Sequence, residues 1–418
     1  MQESTGPERE IASQPASQQS VARGVARSFW VLDTGYRIPA VNEDKATRYH
    51  RLRRRADLLG TAAAGVVLVT LALAGGSQRL REMAAALSQW VPERFNDIVM
   101  VMLTTILVML ILAIVELPTA YYHGFLLEHR YGLSTQSRGH WVSDQAKGIG
   151  LGIVLAILGT SIVYGALRNW PDDWWWISAA LFAVATIGLA QLAPVVLLPM
   201  FYKFKPLDRP ALVDRLVKLA AGARTSVNGV FEWVLSSHTK KANAALAGLG
   251  RTRRILLSDT LLADYSEDEI EVILAHELAH HVHRDLWRGI AVQAVALLAG
   301  FFVASVLLAG LADPLRLRGI SDPAGLPALL LIGGVWAFLL LPVVNALSRM
   351  QERAADRYAL KTTRNVDAFV TAMKRLSQQN LAEEYPSTLV RWMFYSHPTI
   401  RERIDAARAF GRGEHHAA

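Results

Sequence analysis

The residues best suited to chemistry lie in one short segment, VILAHELAHHVHRD, at residues 272–285. His276 and His280 are four residues apart, so their side chains share one face of a helix. Two imidazoles at that spacing can hold one Zn²⁺ ion. Glu277, beside the first histidine, can then act as the general base toward a water molecule at the metal. The segment therefore predicts a hydrolytic zinc site.

The surrounding sequence predicts the helix that this spacing requires. Ser266 and Glu269 have the spacing of a capping box at a helix start. Apolar residues then recur at the helical period, namely Ile270, Ile273, Leu274 and Leu278. The polar residues near the end of the segment are interpreted separately, as a collar where the helix meets a membrane span: His281, His283 and Asp285.

A zinc hydrolase also needs a third protein ligand. The chain contains no cysteine, so thiolate ligands, cysteine nucleophiles and disulfides are excluded, and zinc must be held by nitrogen and oxygen. Residues 345–360, NALSRMQERAADRYAL, offer Glu352 as that ligand. Asp356 lies about one helical turn further on, where it can accept a hydrogen bond from a ligand histidine. Taken alone, this acidic pair is also typical of an ordinary charged helix end.

The composition is that of a membrane protein with a substantial polar part. Of the 418 residues, 52% are hydrophobic and 19% are charged, and the mean hydropathy is +0.23. Six segments each approach the ~20 residues that a helix needs to cross ~30 Å of hydrocarbon. They are residues 57–75, 98–119, 147–167, 174–200, 286–312 and 327–347.

An even number of spans places both termini on one side of the membrane. Basic residues are concentrated on that side, beginning with KATRYHRLRRR at residues 45–55, which makes it the cytoplasmic side by the positive-inside rule. We attribute the net charge of +8 to this topology and to membrane lipids, because the sequence shows no nucleic-acid-binding motif. The Ala- and Arg-rich composition suggests a bacterial source and hence an inner (plasma) membrane location.

The order of the motifs resembles a known family. HELAH, followed by two apolar spans and then SRMQERAAD, is similar to the integral-membrane zinc proteases of the CAAX prenyl protease type. Their pattern is H-E-x-x-H followed by S-R-x-x-E-x-x-A-D. The resemblance implies one Zn²⁺ ion per chain, bound by His276, His280 and Glu352. It also implies a base role for Glu277 and a supporting contact from Asp356 to a ligand.

Two further segments extend the resemblance toward the N-terminal half of the chain. Residues 117–137 are similar to the family's segment between early membrane helices. Residues 238–262 resemble its edge strand, which binds the substrate backbone by strand addition. This implies substrate contacts from the main chain near Asn243 and Ala244. The eukaryotic members have seven spans, whereas six are recognised here.

The segment YSHPTIRERI at residues 395–404 resembles the family's C-terminal S-H-P motif. The resemblance implies that His397 stabilises the oxyanion of the reaction. It also implies that Arg403 faces the C-terminal carboxylate of the substrate, although Arg401 is a second candidate for that contact. From spacing alone, His397 and Arg403 would be interpreted as a surface histidine and a solvated helix arginine.

The expected fold is mainly α: a multi-span helical membrane protein with a zincin-like metalloprotease domain that carries a short β-sheet edge. Three short strands are predicted within GVFEWVLSS, TKKANAALAG and RRILLSDTLL. The predicted regions are a disordered tail at 1–44, a membrane domain with spans one to four at 45–200, a first protease part with the H-E-x-x-H helix at 201–285, spans five and six at 286–347, and a second protease part at 348–418.

The expected function is that of a zinc-dependent membrane endopeptidase with CAAX-type C-terminal processing. The substrate is expected to be a peptide or protein, including one anchored by lipid, because the catalytic helix ends close to the fifth span. Two alternatives stay open. One is a membrane-protein quality-control protease of broad specificity. The other is a catalytically silent scaffold, which Glu277 disfavours because a structural zinc site needs no base.

Overall fold

The computed structural model of the protein describes residues 44–248 and 253–413. The tail predicted for residues 1–44 lies outside the described residues except for Asp44. The helices are α1 Lys45–Leu73, α2 Gly76–Ser88, α3 Glu93–Tyr121, α4 Leu127–Arg130, α5 Arg138–Asn169, α6 Trp174–Leu192, α7 Leu198–Phe201, α8 Pro210–Gly222, α9 Asp259–Asp264, α10 Glu267–Val282, α11 Asp285–Leu311, α12 Leu326–Thr363, α13 Val366–Gln379, α14 Thr388–Phe394 and α15 Ile400–Gly411. The strands are β1 Lys203–Pro206, β2 Val230–Val234, β3 Ala244–Ala247 and β4 Arg254–Ser258.

Six helical stretches in the described part of the chain are long and apolar enough to cross a membrane. They are Lys45–Leu73, Glu93–Arg130, Arg138–Asn169, Trp174–Phe201, Asp285–Leu311 and Pro323–Thr363. The prediction of six spans is therefore confirmed, and each predicted segment overlaps one of them. The second and fourth stretches each contain a π-helical turn, at Tyr122–Leu126 and Ala193–Leu197. Each turn follows a proline by a few residues or contains one, and proline removes a helix hydrogen bond.

The four strands form one sheet in the order β1-β2-β4-β3. β2 and β4 are parallel, while β1 and β3 each pair antiparallel with a central neighbour. The three predicted strands are confirmed. The four-residue β1 directly follows the fourth span and was not predicted. β3 lies at an edge of the sheet, which leaves one side of its backbone without a neighbouring strand among the described residues.

One apolar core lies outside the predicted spans and is called the shared core. It is built from the two polar parts of the chain, residues 201–285 and 348–418. Buried residues from α8, β4 and α10 pack there with residues from α13 and α15, including Leu257, Ile270, Phe369 and Ala407. The helices α11 and α12 separate these parts in sequence. Because α12 contacts both α10 and α11, it joins this core to the membrane helices.

At the other end of the spans, a buried ion pair joins α2 to the loop between α11 and α12. Arg81 Nη1 lies 2.6 Å from Asp322 Oδ2, and both side chains are almost fully buried. Asp322 also accepts hydrogen bonds from the backbone N–H groups of Arg318 and Ala324. Removing one partner of a buried ion pair leaves the other charge uncompensated.

We therefore expect Asp322→Ala to lower the free energy of unfolding by about 3–5 kcal/mol. The matched control is Glu82→Ala, because Glu82 is the second acid near Arg81 but lies 3.7 Å away with a side chain that is 64% exposed. Thermal unfolding of both variants in detergent provides the measurement. Equal melting temperatures for the two variants would contradict this account of the ion pair.

Candidate metal centre

The helix α10 begins and packs as its sequence predicts. The Ser266 side chain accepts from the Glu269 N–H, and the Glu269 carboxylate accepts from the Ser266 N–H, which completes the capping box. Ile270 and Leu274 are fully buried in the shared core. This packing fixes the rotation of α10, and the rotation in turn sets the direction in which its histidines project.

The three predicted metal ligands come together where α10 packs on α12. His276 Nε2 lies 3.3 Å from His280 Nε2 and 3.2 Å from Glu352 Oε2. His280 Nε2 lies 3.4 Å from Glu352 Oε1. One donor atom from each residue lies within 4.8 Å of the other two. Two nitrogens and a carboxylate oxygen therefore converge on one point.

The chemistry of this donor set fits a bound metal ion. Glu352 Oε2 is buried and has no hydrogen bond of good geometry within the described structure, although imidazole nitrogens lie within 3.2 Å of it. A buried carboxylate oxygen without such a bond is costly unless a cation satisfies it. Two histidines and one carboxylate are also a common ligand set of catalytic zinc sites, which leave a fourth position open.

Each ligand histidine is supported by a carboxylate on its other ring nitrogen. His276 Nδ1 lies 2.9 Å from Asp356 Oδ1, the residue predicted for this contact. His280 Nδ1 lies 3.0 Å from Asp285 Oδ2. Such contacts favour a proton on Nδ1 and leave the Nε2 lone pair for a metal.

Asp285 begins a candidate span, as its interpretation as part of a membrane collar predicts, and it also contacts a ligand histidine. Arg284 adopts a left-handed conformation, with φ at 57°, and connects α10 to α11. This sharp connection brings Asp285, the first residue of α11, back against His280. The other two collar residues have different surroundings. His281 lines the cavity that Glu277 and His280 also line, and the ring of His283 packs edge-on against Tyr358.

Arg403 binds a carboxylate of the protein itself. Its Nε lies 2.9 Å from Asp356 Oδ2 and its Nη2 lies 2.6 Å from Asp356 Oδ1, so the guanidinium binds this carboxylate with two hydrogen bonds. The Arg403 side chain is only 10% exposed. The structure thus connects Arg403 through Asp356 to His276. Arg401, the other candidate for a substrate carboxylate, is exposed and donates to the Tyr385 hydroxyl.

Glu277 lines a cavity of about 580 Å³ together with His280. Its carboxylate has no hydrogen-bond or ion-pair partner in residues 44–248 and 253–413. Burial raises the pKa of Glu277, while the neighbouring imidazoles of His276 and His280 act in the opposite direction. An unpaired carboxylate with a raised pKa next to a metal-binding group is suited to accept and return a proton.

His397 approaches the site from the segment before α15. Its Nδ1 lies 2.9 Å from Glu352 Oε2, while its side chain is 60% exposed. The preceding segment is held by α12. Arg349 Nη1 donates to the carbonyl oxygen of Tyr395 at 2.5 Å, and Asn345 Nδ2 donates to that of Met393 at 2.6 Å. The helix that carries Glu352 therefore also locates the segment that carries His397.

The backbone groups at the edge strand β3 differ in whether they already have a partner within the sheet. The Ser258 N–H donates to the Asn243 carbonyl, and the Asn243 N–H donates to the Ser258 hydroxyl. The main-chain N–H and C=O of Asn243 therefore both have a partner at Ser258. Because backbone groups alternate along an antiparallel strand, Ala244 and Leu246 direct theirs away from β4. Leu246 also lines the cavity beside Glu277.

Two protein-family models together match almost the whole described part of the chain. Residues 206–410 match the model of peptidase family M48, and residues 37–203 match a model described as the CAAX prenyl protease N-terminal region with five membrane helices. The structure has four candidate spans within the described part of that second region.

Among curated relatives, the uncharacterized metalloprotease YhfN of Bacillus subtilis is 30% identical over 87% of this chain and 84% of its own length. The CAAX prenyl protease 1 of Saccharomyces cerevisiae is 29% identical over 70% of this chain and 68% of its own length. The crystal structure of S. mikatae Ste24p has the same fold, with a TM-score of 0.76 at 22% identity over 87% of this chain and 88% of that one.

Asp285→Asn is expected to weaken metal binding by roughly 10–100-fold, because it removes the carboxylate that orients His280. The amide keeps the size of the side chain, so the fold should be retained. The matched comparison is Asp356→Asn, which acts in the same way on His276. Metal affinity from competition with a chelator is the measurement. An Asp285→Asn variant with the affinity of the wild type would show that this contact does not orient the ligand.

Metal binding is also expected to strengthen as the pH rises toward 9. Burial lowers the pKa of His276, but its contacts with Asp356 and Glu352 outweigh this effect and raise the pKa to about 9 in the metal-free protein. The ring therefore holds an extra proton at neutral pH, and a metal must displace it. Each unit of pH below that value should weaken binding by up to about tenfold.

The measurement is the same chelator competition, repeated at several pH values. Asp356→Asn serves as the control, because loss of the carboxylate lowers the pKa of His276 and should reduce the pH dependence above neutrality. A wild-type affinity that does not change with pH in this range would contradict the prediction.

Proposed function

Because the chain belongs to peptidase family M48 and is an integral-membrane metalloendopeptidase, we propose that it uses one zinc ion to cleave peptide bonds at the membrane boundary, with CAAX-type processing of C-termini. The observation that carries the proposal is the convergence of His276, His280 and Glu352 beside the unpaired carboxylate of Glu277. The ligands form the metal site, and Glu277 provides the base that a purely structural site would not need.

Each residue of the site has its own role in the proposed reaction. When bound, zinc supplies Lewis acidity that polarises a carbonyl and lowers the pKa of water. Glu277 takes the proton of the attacking water and returns it to the leaving amine. His397 donates a hydrogen bond to the oxyanion. Asp285 and Asp356 hold the two ligand imidazoles in orientation, and Arg403 holds Asp356.

The edge strand would align the substrate with this machinery. The outward-facing backbone groups of Ala244 and Leu246 can pair with an extended peptide, as in strand addition. Leu246 and Glu277 line the same cavity, so a peptide paired with β3 passes close to the base. This arrangement supports an endopeptidase that binds an extended segment through its backbone.

The position of the site favours substrates held at a membrane. Asp285 is at once the support of His280 and the first residue of the candidate span α11. A scissile bond presented at this depth suits a lipid-anchored peptide or the end of a membrane segment. The basic residues at the start of α1 support a cytoplasmic location for this face by the positive-inside rule. We propose the inner membrane of a bacterium as its location.

The test is Glu277→Gln, which is expected to lower peptidase activity by about 10²–10⁴-fold while zinc remains bound. Glu271→Gln is the matched control, since Glu271 lies on the same helix and pairs with Arg215 away from the metal ligands. Both variants and the wild type are purified, assayed for bound zinc and given model peptides. Full activity of Glu277→Gln would contradict the mechanism.

The choice of peptides tests the substrate class. One carries a prenylated cysteine and a free C-terminal carboxylate, a second lacks the lipid, and a third has an amidated C-terminus. A strong preference for the first supports CAAX-type processing. Equal cleavage of all three supports the broad-specificity alternative and contradicts the CAAX assignment.

A further inference from the structure

A buried polar cluster connects the first membrane helix to the segment that carries His397. Arg54, on α1, places its Nη1 2.6 Å and its Nη2 3.4 Å from the two carboxylate oxygens of Glu383. The Tyr395 hydroxyl donates to Glu383 Oε2. The Glu383 side chain is 3% exposed and that of Arg54 is 18% exposed, so the contact is shielded from solvent.

Tyr395 is held through both its side chain and its main chain. Its hydroxyl binds Glu383, while its carbonyl accepts a hydrogen bond from Arg349 of α12. Burial and the neighbouring Glu383 carboxylate raise the pKa of the Tyr395 hydroxyl, so it keeps its proton and acts as a donor. His397 follows only two residues later and lies 2.9 Å from Glu352. The position of Tyr395 therefore limits the position of His397.

The segment that begins before Glu383 is fixed to α1 by further contacts. His50 Nε2 lies 2.8 Å from the carbonyl oxygen of Leu381. Leu381 has a left-handed backbone with φ at 49°, and its side chain packs against the cluster around Tyr49. A non-glycine residue in this conformation persists only where its surroundings hold it there. The start of α1 thus holds the chain from Leu381 to Tyr395.

Burial of the ion pair is not by itself a reason for stability. The cost of removing two charges from water often cancels their attraction, so an apolar pair could fill the same space. A bidentate arginine and a tyrosine hydroxyl on one carboxylate do, however, impose a fixed geometry. This geometry acts on the segment whose placement decides where His397 lies.

We propose that Arg54, Glu383 and Tyr395 are positioning residues that set His397 relative to Glu352. The activity would then depend on where the first membrane helix lies, although α1 contributes no group to the metal site. The inference rests on the proposed function in one respect, since it assigns the effect to His397 acting on the substrate. It deepens that proposal by giving a membrane span a role in catalysis.

The test is Tyr395→Phe, which removes the hydroxyl and keeps the ring. We expect kcat to fall by about tenfold, with KM and bound zinc unchanged, because a small displacement of a group that acts in the transition state lowers the rate. Glu383→Gln should have a similar effect. Tyr385→Phe is the matched control, because Tyr385 lies in the same segment but is 66% exposed, and it should match the wild type.

A second measurement separates positioning from general damage to the fold. In a His397→Ala background, Tyr395→Phe should cause no further loss of kcat, because the residue it positions is absent. An unchanged kcat for Tyr395→Phe would overturn the proposal. So would an equal loss with and without His397, which is the result expected of a purely structural residue.

Backbone hydrogen exchange provides a readout that does not require activity. Amides in residues 381–397 should exchange faster in Tyr395→Phe and Glu383→Gln than in the wild type or Tyr385→Phe. If the wild type cleaves no peptide, the proposed function fails and exchange alone decides this inference. In that case, unchanged exchange in both variants would overturn it.

Discussion

The packing of α10 against α12 is the contact on which the rest of the site depends. His276 and His280 come from one helix and Glu352 from the other, and two membrane spans separate them along the chain. Their donor atoms converge because Ile270 and Leu274 bury one face of α10 in the shared core, while α12 continues without a break from the bilayer to Thr363. A metal site needs its ligands to be placed within a fraction of an ångström, and rigid helices achieve this better than loops.

This packing also brings several charged side chains together, and the carboxylates of Glu352, Asp356 and Asp285 among them are almost fully buried. Each ligand imidazole has a carboxylate on Nδ1, and the two hydrogen bonds from Arg403 to Asp356 compensate one of these negative charges. Glu277 is the exception, because its carboxylate has no partner in the described part of the chain. This difference agrees with the proposed function, in which the paired groups hold their positions and the unpaired carboxylate of Glu277 exchanges a proton.

The sequence was most informative where chemistry depends on local spacing. The pair His276 and His280 and the capping box of α10 could be predicted because helical period relates neighbouring residues directly. The contact of Asp285 with His280 could not be predicted, because it depends on a left-handed turn at Arg284 that no propensity indicates. Local patterns also do not show which backbone groups of β3 face β4, because a shift of one residue reverses which side of a strand a backbone group faces. The partner of Arg403 is set by the packing of α15, which local patterns do not reveal.

The site and the membrane helices are parts of one structure. Asp285 begins a span and supports a ligand, α12 spans and then supplies Glu352, and Arg349 of that same helix holds the segment leading to His397. The start of α1 binds this segment from its other side. A change in the relative position of these helices would therefore alter the catalytic geometry before it affected the apolar core, because hydrogen-bond lengths tolerate less displacement than apolar contacts. The geometry of the candidate metal site therefore depends on how these helices are placed relative to one another.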